Sequence, residues 1–588
     1  MYILVSSPPS AKGQIVLRQL DNEGQLFDTF FLDSVDFAGA VEALDEEGVR
    51  WVWSDTAHWY PGLLEQGVRV GRCHDLRLCH VILRNAEGAA GSELAHGPAS
   101  AWDEASADRV IAGATLFDDL LDDGMSGPND PGRTAALAGI PVSQSAAWAE
   151  ISDEPGDNPY GDDESLAEFQ RQLEAWLGSD RPGPLGLLLA AESAGALSAQ
   201  EMRFFGIPWH VDVHNRILTE MLGPKPQFGG RPAKMERLAE QIRVALDAHG
   251  LNPDSPQDLL KALRRAGLDV SSTSKWELYN LKHPVIEPLL AYKKLSRLHT
   301  ANGWTWLDTW VADGRFRPEY VVGGVVTGRW AAKGGGALQL PASVRGAVVA
   351  DPGWSLVVAD AAQLEPRILS ALSGDLAMAE AGRGHDLYQA LVDQGVVDTR
   401  DHAKVALLGA LYGATSGQSA ALMPRLTKAF PQAIRLVEEA ARVGERGGIV
   451  STWLGRSSPR PDKLWWVDAV LDSDTPAGPQ RDRARQEARS WGRFTRNFVC
   501  QGSAAEWALS WLAGLRQRLA VLGEPGARPH LVYFLHDEVM VHTPEACAEQ
   551  VIQAVRESAA AAGRLLFGEF PVEFPVEAVV VDNYGAAK

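Results

Sequence analysis

Two segments in the C-terminal half place carboxylates where strands are expected to end. Asp360 closes an apolar run in SLVVADAAQLEPR, and His536, Asp537 and Glu538 lie at a predicted hairpin turn in HLVYFLHDEVMVHTP. Carboxylates that meet at adjoining strand ends repel each other unless cations lie between them. Two Mg²⁺ ions about 3.5 to 4 Å apart, as used in phosphoryl transfer, are the natural answer. Either segment alone is more often structural, so the prediction depends on the two together.

A predicted helix between these segments carries cations at one end and an aromatic ring at the other. In TRDHAKVALLGALYGATSG, Arg400, Lys404, Leu408 and Tyr412 recur at intervals of four and therefore share one face. The cations suit a triphosphate and the ring suits a base. For this helix alone, an amphipathic surface with solvated cations remains the alternative. Upstream, Arg329 falls in a Gly-rich segment, VVTGRWAAKGGGALQLP, that predicts a loop before a strand.

The composition indicates a globular chain of several domains. Its 588 residues are 45% hydrophobic and 22% charged, which gives a prior of two to four domains. The net charge, 55 − 76 = −21, argues against binding nucleic acid by bulk charge. Residues 101 to 170 hold 16 acidic residues against two Arg, a balance of 2 − 16 = −14. We expect this stretch to be a solvated insertion, which leaves room for a compact basic groove elsewhere.

The elements that must position these residues follow from the apolar pattern. The first 90 residues alternate strand-like and helix-like runs, and residues 91 to 165 are predicted to be loops with short helices. Residues 166 to 225 and 231 to 300 are predicted to be helical. Cys73, His74, Cys79 and His80 are predicted to share one short helix without a second ligand cluster, so a zinc site is disfavoured. The absence of a long apolar stretch or a leader pattern, with only four cysteines, predicts a cytoplasmic protein.

Taken together, the segments resemble the family A DNA polymerases over roughly residues 200 to 588. TGRW with LQLP is similar to the family's TGRLSS…LQNIP, and DAAQLEPR is similar to its motif A, DYSQIELR. RDHAKVALLGALYG resembles motif B, RRxxKxxxFxxxYG, and the HDE triplet resembles motif C. RFTRNFVCQGSAAE is similar to the family's R…N…Q helix, and VEAVVVDNYG to its closing strand. The order and spacing of these motifs make the match specific.

The resemblance implies a multidomain α/β and α+β fold. An RNase H-like domain of the 3′→5′ exonuclease type would occupy residues 1–205, with the acidic insertion near 91–165. A right-hand polymerase domain would follow at 206–588. Its thumb would span about 206–300, its palm about 301–375 and 495–588, and its fingers about 376–494. No separate 5′-nuclease domain is expected ahead of these two.

The resemblance also implies roles for single residues. Asp360 and Asp537 would be catalytic metal ligands, assisted by the backbone carbonyl of Ala361 with Glu538 nearby, and Lys404 would donate a proton to the departing pyrophosphate. Glu365 would crowd a ribose 2′-OH, and Arg367 would be a structural or primer-side residue. The implied nucleotide contacts are Arg400, Lys404, Leu408, Tyr412, Glu365, Gln363 and Tyr388. The implied DNA contacts are Arg329, Gln339, Arg367, Gly413, Arg493, Asn497, Gln501 and His536.

Several positions depart from the family pattern. Ala361 and Ala362 replace Tyr-Ser in motif A, although a backbone carbonyl survives at 361. Asp401 stands where a second Arg is common, Leu408 where an aromatic residue packs on the sugar, and Tyr388 where a phosphate-contacting His is usual. We therefore expect altered nucleotide affinity and altered discrimination against sugar analogues, with the chemistry retained.

The N-terminal region is similar to the exonuclease module but lacks its acids. The first strand, MYILVSSPP, contains no carboxylate. Trp59 stands where the second motif needs Asp, while Leu189 and Ser193 stand where the third needs Tyr and Asp. Asp45 with residue 47 forms an Asp-x-Glu at a predicted helix end, where a solvated cap is expected. With no carboxylates to hold two Mg²⁺ ions, the region is predicted to keep the fold and to lack proofreading.

The predicted function is template-directed DNA synthesis from a primer 3′-OH, with dNTPs as substrates and pyrophosphate as product, in replication or repair. Two Mg²⁺ ions, replaceable by Mn²⁺, primer-template DNA and dNTPs are the expected cofactors and partners of a monomer that binds no membrane. Residual 3′→5′ exonuclease activity is one alternative. A single-subunit RNA polymerase of the phage type is a second, which Glu365 opposes. A non-catalytic primer-template scaffold is a third, which the retention of Asp360, Lys404 and Asp537 opposes.

Overall fold

A computed structural model describes most of the chain. The described ranges are 1–7, 13–45, 48–104, 162–227, 229–279, 281–333, 340–384, 386–413, 417–461, 465 and 479–587. Most of the predicted acidic insertion, residues 105–161, lies outside them, as do Glu47 and Gln339. Among the described residues, no helix combines the length and the apolar character needed to cross a lipid bilayer.

The N-terminal region is built on a five-stranded sheet, as the alternating pattern predicts. The strand order is β3-β2-β1-β4-β5, with β1 antiparallel to β2 and parallel to β4. The four residues Ile3 to Ser6 of β1 are buried, in line with the apolar run that predicted the strand. The strands are β1 (Tyr2–Ser6), β2 (Gln14–Leu20), β3 (Leu26–Asp33), β4 (Arg50–Trp53) and β5 (Cys73–Asp75).

Helices cover this sheet and lead out of it. They are α1 (Phe37–Leu44), α2 (Thr56–Glu65), α3 (Leu76–Asn85), α4 (Glu93–His96), α5 (Ala101–Glu104), α6 (Asp162–Leu177) and α7 (Pro182–Phe205). The placement of Cys73 and His74 on a predicted helix with Cys79 was wrong, because both lie on β5 and only Cys79 and His80 lie on α3. The side chain of Asp75 caps α3 by accepting from the N–H of Leu78, which ends the strand there.

The helix α7 belongs to two hydrophobic cores. Leu197 packs into the core beneath the N-terminal sheet, whereas Leu188 and Met202 pack into a core that continues to Trp507 and Val539. The implied boundary at residue 205 therefore coincides with the end of a helix but not with a gap between cores. The two regions are fused through shared side chains.

The next region is helical, as predicted, with small two- and three-stranded sheets at its base. Its helices are α8 (Val211–Leu222), α9 (Ala233–Ala245), α10 (Pro256–Arg265), α11 (Lys275–Tyr279), α12 (Ile286–Asn302) and α13 (Trp304–Trp310). Its strands are β6 (Ile207–Pro208), β7 (Val311–Ala312), β8 (Arg315–Phe316), β9 (Glu319–Val321) and β10 (Ala331–Lys333).

A four-stranded antiparallel sheet carries the acidic segments. Its order is β12-β13-β11-β14, formed by β11 (Trp354–Ala361), β12 (His530–Leu535), β13 (Glu538–Pro544) and β14 (Val576–Val581). Residues 355–359 of β11 are buried on both faces, which explains the continuous apolar run. This sheet confirms the strand-end and hairpin positions expected for Asp360 and Asp537.

The remaining helices follow β11 in the chain, and all but the last contribute residues to one separate hydrophobic core. They are α14 (Leu364–Ser373), α15 (Leu376–Ala381), α16 (Leu387–Asp393), α17 (Arg400–Tyr412), α18 (Gly417–Ala429), α19 (Pro431–Glu445), α20 (Pro479–Leu519) and α21 (Ala548–Phe567). The side chain of Thr399 caps α17 on the N–H of His402, and Gly413 ends it in the left-handed conformation at φ +70°. The helix therefore begins and ends at Arg400 and Tyr412, the two outer residues of the predicted stripe.

Candidate active site

Asp360 and Asp537 lie at neighbouring ends of the four-stranded sheet. Asp360 is the penultimate residue of β11, and Asp537 is in the turn between β12 and β13. The N–H of Ala361 donates to the carbonyl of Asp537 at 2.8 Å, which holds the two segments together. His536 makes the turn at φ +55°, and the N–H of Asp537 returns to the carbonyl of Leu535 at 2.6 Å. The structure thus brings together the two aspartates that the sequence predicts.

Two more acidic residues flank Asp360 across the sheet. In the strand register, Asp360 is directly opposite Glu538 on β13 and Glu577 on β14. Residues that are directly opposite in an antiparallel sheet project from the same face, and like charges there are unfavourable. Glu577 is exposed, whereas the buried Glu538 accepts a hydrogen bond from the hydroxyl of Tyr584 at 2.8 Å.

The electrostatics of this edge favour a bound cation. Burial and, next in size, repulsion from Asp360 together raise the pKa of the Asp537 carboxyl to about 7, although the guanidinium of Arg329 opposes the rise. Carboxylate oxygens beside a peptide carbonyl are the ligands that Mg²⁺ and Mn²⁺ prefer. The donor set of Asp360, Asp537 and the carbonyl of Ala361 therefore fits a hard divalent cation.

A second cluster, next to the aspartates, is centred on Glu365. One oxygen of its carboxylate pairs with the guanidinium of Arg329, and the other accepts the hydroxyl proton of Tyr412. Glu365 is in the first turn of α14, Arg329 is in the loop before β10, and Tyr412 ends α17. Three elements far apart in sequence are thereby joined, and the Glu365 side chain is held in one orientation.

His536 lies against this cluster. Burial, and then the nearby Arg329, lower the pKa of its imidazole to about 3, so the ring is neutral. Its Nε2 atom is buried without a hydrogen-bond partner among the described residues. A buried polar atom without a partner is unusual in a folded protein.

Gln363 and Arg367 are held by protein groups. Gln363 adopts φ +54°, and its amide oxygen accepts the N–H of Leu387 at 2.9 Å. Arg367 is buried, and its guanidinium donates to the carbonyls of Ala362, Gly382 and Glu573 at 3.0, 2.8 and 3.1 Å. Of the two roles considered for Arg367, these contacts favour the structural one.

The residues predicted to face a nucleotide lie along one face of α17, and one of the two cations among them, Arg400, is paired with an aspartate. Arg400 donates twice to Asp386 at 2.8 and 2.9 Å and lies over the ring of Tyr388. Asp386 also caps α16 by accepting from the N–H groups of Tyr388 and Gln389. Lys404 is exposed one turn along α17, and Leu408 is half-buried.

Three candidate DNA contacts form a stripe on α20. Arg493, Asn497 and Gln501 recur every four residues along this helix of 41 residues. The stripe begins beside α17, since a β-carbon at Gly413 would lie 3.1 Å from Cγ of Arg493. The Oδ1 atom of Asn497 is buried without a hydrogen-bond partner among the described residues. Gln339 lies outside those residues.

In the N-terminal region, the positions that the resemblance assigns to exonuclease acids are engaged in packing. The indole of Trp59 donates to the hydroxyl of Ser54 at 3.1 Å. The hydroxyl of Ser193 donates to the carbonyl of Leu189 at 2.8 Å and accepts the N–H of Asp75 at 3.1 Å. Across the described residues, no group of three or more His, Cys, Asp or Glu side chains is arranged as a metal site.

The expectation of a solvated cap at Asp45 was wrong. Its carboxylate accepts the indole proton of Trp51 at 2.8 Å and the N–H of Gly71 at 3.0 Å. It therefore fastens the end of α1 to β4 and to the segment before β5. These two hydrogen bonds give Asp45 a structural role.

Sequence reasoning overlooked three residues of the site. Asp386 lies in none of the motifs quoted above, and Glu577 and Tyr584 lie in VEAVVVDNYG, the segment similar to the family's closing strand, without having been given roles. Their contacts depend on strand register and on pairing between helices. A possible signal for Asp386 was its position two residues before Tyr388, directly ahead of a helical run. For Glu577 and Tyr584 the signal was their place in the closing-strand segment, but their partners could not be predicted, because register cannot be deduced from one sequence.

Comparisons with known proteins agree with this geometry. The family model "DNA polymerase family A" matches residues 230–586. The thermostable DNA polymerase I of Thermus filiformis is 25% identical over 436 residues, which cover 69% of this chain and 47% of that protein. DNA polymerase I of Chloroflexus aurantiacus is 26% identical over 378 residues, covering 59% of this chain and 36% of that one. The chain thus spans about half the length, or less, of these curated relatives.

A solved structure shows the same fold. The POL domain of Pol1 from M. smegmatis, in complex with DNA primer-template and dNTP, superposes with a TM-score of 0.61 at 18% identity. The match covers 100% of this chain and 95% of that one. The multidomain α/β and α+β architecture expected from the sequence is therefore confirmed.

Proposed function

Because the chain belongs to DNA polymerase family A, we propose that it extends a primer 3′-OH with dNTPs on a DNA template and releases pyrophosphate. One observation carries the proposal above all others. Asp360 and Asp537 converge at one edge of the sheet, and the pKa of Asp537 is raised to about 7 by burial and by its neighbour. Two neighbouring carboxylates that repel each other in a buried place are suited to bind divalent cations.

Asp360, Asp537 and the carbonyl of Ala361 would hold the metal ions. When bound, Mg²⁺ or Mn²⁺ supplies the positive charge that activates the attacking oxygen and neutralises the leaving phosphates. Glu538, which is expected near the metal ions, accepts a hydrogen bond from Tyr584 and is not included in this ligand set.

The helix α17 would bind the triphosphate. Lys404 is exposed on it and would donate a proton to the departing pyrophosphate. Arg400 would exchange part of its pairing with Asp386 for phosphate oxygens, and half of its side chain is exposed for that purpose. Tyr388 and Leu408 complete the proposed nucleotide side.

Glu365 would select deoxyribose. Arg329 and Tyr412 hold both of its oxygens, so its bulk is fixed in place and a ribose 2′-OH would meet a carboxylate that cannot turn aside. This argues against ribonucleotides as substrates. Tyr412 with Gly413 would lie at the templating pair, and Arg329, His536, Arg493, Asn497 and Gln501, with Gln339, would follow the primer-template duplex.

The proposed domain division remains that of the sequence: an exonuclease-like region at 1–205, a thumb at about 206–300, a palm at about 301–375 and 495–588, and fingers at about 376–494. The N-terminal region would act as a scaffold without proofreading. The engagement of Ser193 and Trp59 in packing supports this. The protein would act as a cytoplasmic monomer in DNA replication or repair.

Primer extension tests the proposal. The purified chain, with a labelled primer-template, Mg²⁺ or Mn²⁺ and either dNTPs or NTPs, should lengthen the primer with dNTPs alone, whereas Asp360→Ala and Asp537→Ala should not. If the wild type extends the primer with neither dNTPs nor NTPs, a binding scaffold is favoured. If it extends the primer with NTPs, an RNA polymerase is favoured. A primer shortened by both the wild type and Asp360→Ala would reveal exonuclease activity.

A further inference from the structure

The side chain of Tyr584, close to the C-terminus, reaches the acidic edge of the sheet. Tyr584 is 1% exposed and Glu538 is 4% exposed, and the hydroxyl of Tyr584 donates to Oε1 of Glu538 at 2.8 Å. A buried phenol paired with a buried carboxylate forms a strong, oriented hydrogen bond. The contact joins the start of β13 to the segment that follows β14.

Tyr584 is itself held from several sides. Its N–H donates to the carbonyl of Val348 at 3.0 Å, and the guanidinium of Arg345 lies 4.8 Å from the centre of its ring. It begins a short 3-10 helix, Tyr584–Ala586, that Asn583 caps. The phenol is therefore in a fixed position when it meets Glu538.

Glu538 occupies a place where an unrestrained carboxylate would interfere. It is directly opposite Asp360 in the register and next to Asp537 in sequence. Directly opposed side chains have β-carbons about 4.5 to 5.5 Å apart, so Glu538 could turn toward a cation held between the two aspartates. A third carboxylate ligand would bind a metal ion more tightly and would fill a coordination position that a substrate oxygen needs.

We propose that Tyr584 is a positioning residue that holds the Glu538 carboxylate off the metal ions and so keeps a coordination position for substrate. The inference depends on the proposed function, because it presupposes that Asp360 and Asp537 bind divalent cations. The hydrogen bond from the Tyr584 hydroxyl to Glu538 is the observation on which the inference rests.

The inference is tested by Mn²⁺ binding to the whole 588-residue chain without DNA or nucleotide. Binding is measured as the loss of the electron paramagnetic resonance signal of free Mn²⁺. Tyr584→Phe should lower the Kd for Mn²⁺ by roughly three- to tenfold, because the released Glu538 becomes a ligand. In primer extension, the same variant should lose turnover without a rise in the KM for dNTP. A loss of packing alone would weaken binding and turnover together.

A double variant and a matched control isolate the hydrogen bond. Tyr584→Phe with Glu538→Gln should return the Kd to within about twofold of the wild type, since the amide is a poor ligand. Tyr60→Phe removes a comparable buried hydrogen bond, from Tyr60 to Glu201 at 2.6 Å in the N-terminal region, and should leave the Kd unchanged.

Glu538→Gln alone covers the case in which Tyr584→Phe fails to fold, because the amide oxygen can still accept the phenol proton. It should change the Kd by less than about threefold, whereas Asp537→Asn should raise it by more than about tenfold. If Glu538→Gln weakens Mn²⁺ binding as much as Asp537→Asn does, Glu538 is a ligand and the inference fails.

The outcomes separate this inference from the proposed function. A wild type that binds Mn²⁺ through Asp360 and Asp537, with a folded Tyr584→Phe variant of equal or weaker affinity, contradicts the role of Tyr584 and leaves the polymerase proposal standing. A wild type with no Mn²⁺ binding that depends on either aspartate overturns both.

Discussion

Glu365 accepts hydrogen bonds from Arg329 and from Tyr412, one on each carboxylate oxygen, and thereby links a loop, the first turn of α14 and the end of α17. A carboxylate with both oxygens occupied cannot rotate without losing a charge-assisted bond. The orientation of Glu365 at the proposed nucleotide site therefore depends on α17 as much as on α14.

Shortening Glu365 should relax the choice of sugar. Glu365→Ala is expected to raise the ratio of NTP to dNTP incorporation, measured as kcat/KM, by about 100-fold, because the volume facing the 2′ position is lost. Tyr412→Phe is the matched control, since it removes one bond to Glu365 and leaves the Arg329 pair, and it should raise the ratio only a few-fold. Equal ratios for Glu365→Ala and the wild type would contradict this role.

The two cations of α17 should have separable effects. Lys404→Ala is expected to lower kcat by about 100-fold or more, because the proposed general acid is lost. Arg400→Ala should mainly raise the KM for dNTP, by about tenfold, because the proposed phosphate ligand is lost. Steady-state primer extension with varied dNTP measures both effects. A fall in kcat for Arg400→Ala that exceeded the rise in KM would show that the assignment is wrong.

Metal-free protein should be stabilised by the loss of one active-site carboxylate. Asp537→Asn relieves repulsion from Asp360 and should raise the free energy of unfolding in EDTA at pH 7.5 by about 1 to 3 kcal/mol. Added Mg²⁺ should reverse the order, because the wild type alone gains binding energy. Thermal unfolding with and without Mg²⁺ measures both. A variant less stable than the wild type in EDTA would speak against the repulsion.

The buried Glu506 makes stability depend on pH. Burial raises the pKa of this carboxyl to about 7 in the folded protein, above its usual value near 4.5. The folded state therefore binds the proton of Glu506 more tightly than the unfolded state does. The stabilisation that this proton gives is complete below about pH 4.5 and is lost as the pH rises to about 7.

Glu506→Gln imitates the protonated form. Its amide oxygen can accept the N–H of Leu454, and its amide nitrogen can face the hydroxyl of Thr452, the two groups that contact Glu506. The variant should match the wild type at pH 5 and exceed its free energy of unfolding at pH 8 by about 1 to 3 kcal/mol. Denaturant unfolding at the two pH values is the measurement, and an equal difference at both would count against it.

The ion pair between Glu201 and Arg516 joins the N-terminal region to α20. Arg516 donates to Glu201 at 2.6 and 2.9 Å, and Arg69 and Tyr60 donate to the same carboxylate. Burial opposes ionisation, but the two guanidinium groups outweigh it and lower the pKa of Glu201 to about 2. The stabilisation is thus present above about pH 4.5 and is lost as the pH falls toward 2.

Glu201→Gln should cost about 3 kcal/mol of unfolding free energy at pH 7, because it leaves buried cations without an anion. The difference should shrink below about pH 4. Lys225→Met, which breaks an ion pair with Asp308 that is more than half exposed on both sides, is the control and should cost less than about 1 kcal/mol. Equal costs for the two variants would contradict the importance of burial.

The sequence predicts those parts of the fold and site that have a local signal. The apolar run before Asp360 and the two runs around Asp537 predict strand ends correctly, since buried strands need continuous apolar residues. The interval of four between Arg400 and Tyr412 predicts α17 to within its caps. These are regularities that a single chain shows without its partners.

What the sequence did not predict depends on pairing between distant segments. Glu577 is opposite Asp360 through strand register, and Asp386 meets Arg400 through the packing of α16 on α17. The expectation that Asp45 is a solvated cap failed for the same reason. The indole of Trp51 that donates to it lies on the next strand, and such a contact leaves no local pattern around Asp45. A helical pattern was likewise assigned to Cys73 because the strand β5 has only three residues, too few to show alternation.

The sharing of α7 between two cores has a consequence for how this chain can change over generations. A deletion of all residues before 206 would remove Leu188 and Met202 from the core that they share with Trp507 and Val539. It would expose apolar side chains on the sheet that carries Asp360. Selection for the activity proposed for the C-terminal region would therefore also preserve the N-terminal region. The helix α7 therefore makes retention of the N-terminal region a condition for a fully packed sheet, whichever catalytic residues that region has.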